Sequence, residues 1–323
     1  MAQPVEITNS ALGSLSDKEN DSCPICRAAS PKYLCNTHNG HSSTKSLRHC
    51  RCRSCGLVFV GNHFDDDELG EAYGGLNSTE YYNEIRTENL RKMDQATSNL
   101  KEFLELEDRI IDIGTGDGSF IRVLHQAGFK NLSCHEIPGS DLSAIEEISE
   151  SIYLDYDFKT IPSETFKAVT MLDVIEHVRD PRSLLENCFR ILKPGGVVYF
   201  HTPVVTRTDR LMHFLMKAPF LRAIGRTWQS GRTSIFHLRN YTPRSLKALL
   251  NQTKFELAEI AIKNELSWPV SMYVRVYLVD KFRLPGFLTA VFTPLMYPLL
   301  ATDLLNANKS IVTARRPGLE SPK

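Results

Sequence analysis

The sequence of 323 residues has no net charge, its 38 Lys and Arg being matched by 38 Asp and Glu. A dedicated polyanion-coating protein needs a large basic excess, so that class is excluded. The first twenty residues have neither a basic segment nor an apolar run; no secretory signal is visible, and 1–20 is expected to be a polar, disordered tail on a cytoplasmic protein. No internal repeat or low-complexity tract is present. With 18 Gly and 16 Pro, 42% hydrophobic and 24% charged residues, a collagenous, disordered or multi-span membrane chain is also excluded. Uncharged runs are scarce. One of them, LPGFLTAVFTPLMYPLLAT at 284–302, nearly reaches the length of a membrane span. Pro285, Pro294 and Pro298 are expected to break a straight helix there, leaving packed cap helices or an interfacial segment.

The zero charge is an average of unlike parts. Residues 61–160 hold 22 acids against 8 bases, a balance of −14, while 161–323 hold 23 bases against 12 acids, a balance of +11. Such asymmetry points to a basic surface on one part of the fold.

Six of the eight cysteines lie between Cys23 and Cys55. Without a signal for export, that crowding points to metal rather than disulfides. Cys23-Pro-Ile-Cys26 and Cys52-Arg-Ser-Cys55 supply the four thiolates of a closed tetrahedral zinc site, with Cys50 an alternative ligand. A segment at 21–62 with few large apolar residues needs such a staple, so the metal is expected to be structural. No basic recognition helix lies between the pairs, which weakens a nucleic-acid-reading role.

After a helical linker at 63–100, periodic at Leu90, Met93, Ala96 and Leu100, short β-rich runs alternate with amphipathic stretches. Strands are expected at Arg109–Ile113, Asn131–Glu136, Ser151–Leu154, Lys167–Leu172 and Val197–His201, and helices at Ser119–Ala127, Pro181–Leu192 and Thr242–Gln252. This is the rhythm of an α/β domain over 101–323 whose sheet has helices on both faces, with insertions at 204–235 and 265–308. Behind the first strand, Gly114, Gly116 and Gly118 open a helix whose start favours negative charge. Glu136 follows Gly118 by 18 residues, at the end of the next strand, where a carboxylate can accept both ribose hydroxyls of an adenosine.

The stretch Met171-Leu-Asp173-Val-Ile-Glu176-His177-Val, followed by Leu192-Lys-Pro-Gly195-Gly196, resembles the class I S-adenosylmethionine-dependent methyltransferases. The likeness runs from about Cys23 to Pro317. It is nearest to ubiquinone-pathway O-methyltransferases and to sugar methyltransferases with an N-terminal zinc-binding segment. It implies a Rossmann-like seven-stranded sheet, with Gly114, Gly116 and Gly118 lining the methionine and ribose of the cofactor. Asp112 would hold the loop or the amino group, Glu136 the ribose, Asp155 or Asp157 the adenine amino group, and Leu172 and Asp173 the sulfonium side of the pocket. Two positions depart from the family pattern: Phe166-Lys167 replaces Phe-Asp, and Thr202-Pro203-Val204 replaces Thr-Pro-Asn.

A hydroxyl acceptor needs a base near neutrality, and His177, His201 and His237 are the candidates. Asp173, Glu176 and His177, at i, i+3 and i+4, face one way on a helical turn and could instead hold Mg²⁺, as an acidic version of this set does in the ubiquinone-pathway enzymes. Residues 201–250 carry nine bases and one acid, Asp209, among Phe214, Phe220 and Trp228. This suits a small anionic acceptor, sugar-type or lipid-linked, or peripheral membrane contact through 206–235 and 284–302. The oligomeric state stays open. The alternatives are an RNA methyltransferase gripping its substrate with the zinc segment, which the adjacent −14 stretch opposes, and a non-catalytic cofactor-binding module.

Overall fold

The computed structural model describes residues 22–38, 46–62, 86–138, 140–155, 158–232, 237–266, 269–280 and 283–318. The expected tail 1–20, most of the linker 63–100 and Asp157 lie outside the described residues.

Two sheets organise the chain. The first is built by the cysteine-rich segment: β1 (Lys32–His38), β2 (Ser46–Arg51) and β3 (Val58–Val60) pair antiparallel. Its fourth strand comes from far along the chain: β9 (Arg239–Asn240) pairs with β3. The cysteine segment is therefore bonded into the larger domain.

The second sheet has seven strands. β4 (Ile110–Ile113), β5 (Leu132–Glu136), β6 (Ser151–Leu154), β7 (Phe166–Leu172) and β8 (Leu192–Pro203) run parallel. β11 (Lys309–Arg315) runs antiparallel between β8 and β10 (Glu256–Lys263), giving the order β10-β11-β8-β7-β4-β5-β6. Period-2 alternation divides the core. Ile110 and Tyr199 pack with α1 (Arg86–Leu100) and α2 (Ser119–Gln126) on one face. Ile111, Val198 and Phe200 pack on the other with α3 (Pro181–Ile191). In α1, Ala96 and Leu100 are buried as their spacing requires, whereas Leu90 is exposed. β8 starts at Leu192, earlier than expected, because Leu192 already pairs with Phe166 of β7, ahead of an irregularity where Gly195 turns at φ 74°.

Helix starts follow local chemistry. Asp180 caps α3 by accepting from the amides of Arg182 and Ser183, with Pro181 at the first helical position. Thr206 and Asp209 form a reciprocal capping box at α4 (Arg207–Leu215), as Thr242 and Ser245 do at α6 (Pro243–Leu250). The single acid of 201–250 is thus consumed, since Asp209 also accepts from the Trp228 indole at 2.6 Å. Trp228, on α5 (Arg222–Arg232), joins an apolar cluster with α7 (Val270–Val274) and α8 (Leu288–Leu300).

The prolines at 284–302 do not interrupt the helix as expected: α8 runs through Pro294 and Pro298. Both lie on the exposed side, so the carbonyls they leave unpaired face solvent, and Thr302 Oγ1 bonds the Pro298 carbonyl. Among the described residues, no helix is long and apolar enough to cross a membrane.

Candidate active site

The strand order reverses between β4 and β7, so their carboxyl ends open a crevice, the place where ligands bind in open α/β sheets. On the β4 side the chain turns through Gly114, Gly116 and Gly118 with φ of 68°, 59° and 73°. A Cβ at Gly114 would sit 2.6 Å from Val174 on the β7 loop, and one at Gly118 would sit 2.6 Å from Ile145. Only glycine serves at 114 and 118, where both the torsion and the space exclude a Cβ. Below the loop, Asp112 accepts from Thr115 at 2.7 Å and Thr170 at 2.6 Å. Burial pushes its carboxyl up to about 7, outweighing the two hydroxyl donors.

Glu136 reaches this loop from the end of β5, accepting the Gly116 amide at 2.8 Å. Asp155, past the end of β6, accepts from the Phe158 amide at 2.7 Å and the Thr160 hydroxyl, and lies 3.2 Å from His135. Burial opposes its charge, but these donors prevail and hold it below the usual carboxylate range. His135 stacks on Phe158 at 4.3 Å. The cradle has no room for side chains and is edged by carboxylates, so it fits the ribose and adenine of a nucleoside cofactor.

On the β7 side, Leu172 ends the strand and Asp173 turns out of it at φ 59°. One hydrogen-bonded turn closes from the His177 amide to the Val174 carbonyl at 2.9 Å, but Asp173 stands outside it. Asp173 pairs instead with Lys309 at the start of β11. Burial works against the Asp173 charge, but the Lys309 ammonium holds its carboxyl well below the usual range. Asp173, Glu176 and His177 therefore do not converge as a magnesium set, and the Mg²⁺ expectation is not supported: an ammonium already occupies the Asp173 carboxylate.

Glu176 and His177 meet His237 instead, with one ligand atom from each lying within 4.8 Å of the others. The two imidazoles stand edge to face at 4.8 Å. Glu176 is fully buried: one carboxylate oxygen accepts from Thr202 at 2.9 Å, and the other has no hydrogen-bond partner among the described residues. Burial, aided by the Asp173 charge, raises it to about 8. His201 is not part of this group. Its ring is buried in β8 and bonded to the Tyr199 hydroxyl at 2.8 Å, and burial drives it down to about 3. That corrects its candidacy as a base, because an imidazole so sheltered cannot reach an acceptor and one with so low a pKa takes a proton poorly.

The four expected cysteines gather at the tips of the small sheet. Sulfur separations are 3.7 Å for Cys23 and Cys55 and 3.5 Å for Cys26 and Cys52. Zinc–sulfur bonds of about 2.3 Å require tetrahedral edges near 3.8 Å, so the set fits zinc. The hydrogen bond from Cys55 draws the Cys23 thiol down to about 5, and the same bond raises Cys55. Cys50 stays apart from the cluster, inside β2.

Lys309 is the site residue that sequence reasoning passed over; Thr202 was noted only as part of a departure from the family pattern. A lysine opening an apolar strand carries no signal of its partner 136 positions away.

A glycine cradle and a strand-end carboxylate at a topological switch point define an α/β protein that binds an adenosine-type cofactor. A family profile described as "Methyltransferase domain" matches residues 82–260, more than half of the chain, and the chain belongs to that family, with the sheet of the class I S-adenosylmethionine-dependent enzymes. Among curated relatives, the ubiquinone biosynthesis O-methyltransferase of Pseudomonas fluorescens (strain SBW25) is 30% identical over 102 residues, 29% of this chain and 44% of that protein. Its counterpart in Stutzerimonas stutzeri (strain A1501) is 32% identical over the same length and shares. The chain thus spans less than half of these relatives. Similar solved structures include an S-adenosylmethionine-dependent methyltransferase from Mesorhizobium loti, at 18% identity and TM-score 0.42, covering 68% of this chain and 96% of that one. Another is Haemonchus contortus phospholethanolamine N-methyltransferase 2 with phosphomonomethylethanolamine and S-adenosylhomocysteine, at 16% identity and TM-score 0.46, covering 69% and 52%.

Proposed function

We propose that the chain catalyses methyl transfer from S-adenosylmethionine to a hydroxyl or carbon of a small anionic acceptor, sugar-type or lipid-linked. The observation that carries this reading is the bond between Glu136 and the Gly116 amide at 2.8 Å, which puts a carboxylate at the rim of a loop turned by three left-handed glycines. When bound, the cofactor supplies an electrophilic methyl group on a positively charged sulfur. Gly114, Gly116 and Gly118 would admit its methionine and ribose, Glu136 would accept from the ribose hydroxyls, and Asp155 from the adenine amino group. Asp112 keeps the loop in place through Thr115 and Thr170. Leu172 and Asp173 would border the reacting end, where alignment and exclusion of water supply most of the rate.

His177, half-buried, is the base this reading assigns to a hydroxyl acceptor, with His237 against its ring. Glu176 lies 4.0 Å from His177 Nε2 and, with its carboxyl raised to about 8, supplies a counter-charge to a protonated imidazole only above that pH.

An anionic acceptor is supported by the surface of α4, α5 and the segment joining them, where Arg207, Arg210, Lys217, Arg222 and Arg226 are exposed and the one acid is buried. A lipid-linked acceptor, met at a membrane surface, is supported by α8, which is apolar all round yet exposes Phe287, Val291 and Leu295. Four gathered thiols support a structural zinc.

Calorimetry with S-adenosylmethionine tests the core of this reading. The wild-type chain should bind, and Gly116→Arg should lose binding while melting normally; absence of binding at millimolar cofactor defeats the proposal.

A further inference from the structure

A second concave surface lies outside the crevice. A groove of about 600 Å³ runs where the cysteine tips meet α4 and α6. Lys32 of β1, Arg51 of β2, Arg53 between the last two cysteines, Arg210 of α4 and Arg244 of α6 all line it. No carboxylate lines the groove, and among the described residues none of these five cations is in an ion pair.

The five come from four separate stretches of chain, Arg51 and Arg53 flanking Cys52, so no single amphipathic face explains them. Folding brings them to one space against their mutual repulsion. Cys52 and Cys55 also line the groove, and a tetrathiolate zinc centre, with a formal charge of about −2, would offset only part of the excess. Roughly three positive charges remain without a partner. Four of the five are guanidiniums, whose planar forks match phosphate oxygens in pairs. The volume falls in the range of small-molecule pockets, about 300–1,000 Å³. No aromatic ring lines the groove, so it lacks the stacking platform on which single-stranded nucleic acid is held.

We propose that this groove binds the diphosphate of a phosphorylated small molecule. The assignment is independent of the methyl-transfer reading, because direct binding tests it without cofactor.

The probe is inorganic pyrophosphate, titrated into the zinc-loaded full chain at constant ionic strength. Binding should be saturable, tighter than that of sulfate, and weakened at least tenfold in Arg210→Gln/Arg244→Gln, both exposed positions whose loss should leave melting unchanged. If that variant melts early, Arg53→Gln, also exposed, should show the same direction of effect. Pyrophosphate binding no tighter than sulfate, or unaltered in variants that melt normally, overturns the proposal. So does tight, steeply salt-dependent binding of an unstructured RNA oligonucleotide that pyrophosphate fails to displace.

Discussion

Lys309 places its ammonium on the carboxylate of Asp173, joining the first residue of the antiparallel strand to the turn that leaves β7. Lys309 is nearly buried, with 12% of its side chain exposed, whereas Asp173 retains 41% and faces the crevice. Burial disfavours the ammonium, yet the charges of Asp173, Glu176 and Glu265 prevail and raise its pKa. Asp173→Asn leaves that ammonium a weaker partner, with Glu265 and Glu176 still nearby. The loss should be about 1–2 kcal/mol, a few degrees in Tm. Cofactor affinity, measured below the transition, should fall as well, because the turn carrying Val174 also walls the Gly114 loop. An unchanged melt together with unchanged affinity would show that the pair does no structural work.

Glu176 makes stability depend on pH in a definite direction. Its carboxyl titrates near 8 in the fold and near 4.5 when unfolded, so the folded state binds the extra proton. Its contribution is complete below pH 4.5 and is lost as pH rises through 8. Asp112, raised to about 7, adds a slope of the same sign. Glu176→Gln removes one of the two: the Tm of the variant relative to wild type should climb between pH 5 and 8.5, then level off. A difference constant across that range would place the Glu176 pKa near its ordinary value.

What was legible in the sequence is what sits close together along it. Gly114, Gly116, Gly118 and Glu136 fall within one strand–helix–strand unit, whose local geometry is set by glycine torsions and strand length. The two Cys-x-x-Cys pairs likewise declare a turn each. Pairings across the sheet were not legible. Lys309 meets Asp173, His237 meets His177, and Arg239–Asn240 extends the cysteine sheet because β11 and β9 dock late in the chain, and nothing in their own residues names the partner. The magnesium expectation failed for the same reason: i, i+3, i+4 spacing aligns side chains only on a helix, and Asp173 takes a left-handed conformation instead.

The apolar and basic surfaces of the two insertions predict binding to anionic membranes. Phe220 is 82% and Phe287 70% exposed. Inserted aromatics would anchor the chain, and each of the exposed bases on α4 and α5 would add about 1 kcal/mol near anionic headgroups. Co-sedimentation should show binding to phosphatidylglycerol vesicles in low salt and little to phosphatidylcholine. Phe220→Glu/Phe287→Glu should lower the bound fraction severalfold without changing Tm. Equal binding to both vesicle types, or an unaffected variant, would refute a lipid surface as partner.

Zinc removal should act on stability before it acts on chemistry. The cysteine tips are tied to α6 and the turn after it: Thr242 donates to the Cys55 carbonyl at 2.6 Å and Gln252 to the Ile25 carbonyl at 2.6 Å. Ile25, Leu57 and Phe59 are buried in the same core as Phe200 and Tyr241. Without a metal, the tips lose what holds four thiols together, and freeing even one of those apolar side chains costs about 1.5–3 kcal/mol. The wild-type chain should carry one zinc, measured by elemental analysis, and Cys23→Ser or a strong chelator should lower Tm by several degrees. Below the lowered transition, S-adenosylmethionine affinity should stay within severalfold of wild type, since the glycine cradle is formed by β4, β5 and the Val174 turn and not by the cysteine sheet. Zinc lost with melting unchanged would show that the metal is not structural.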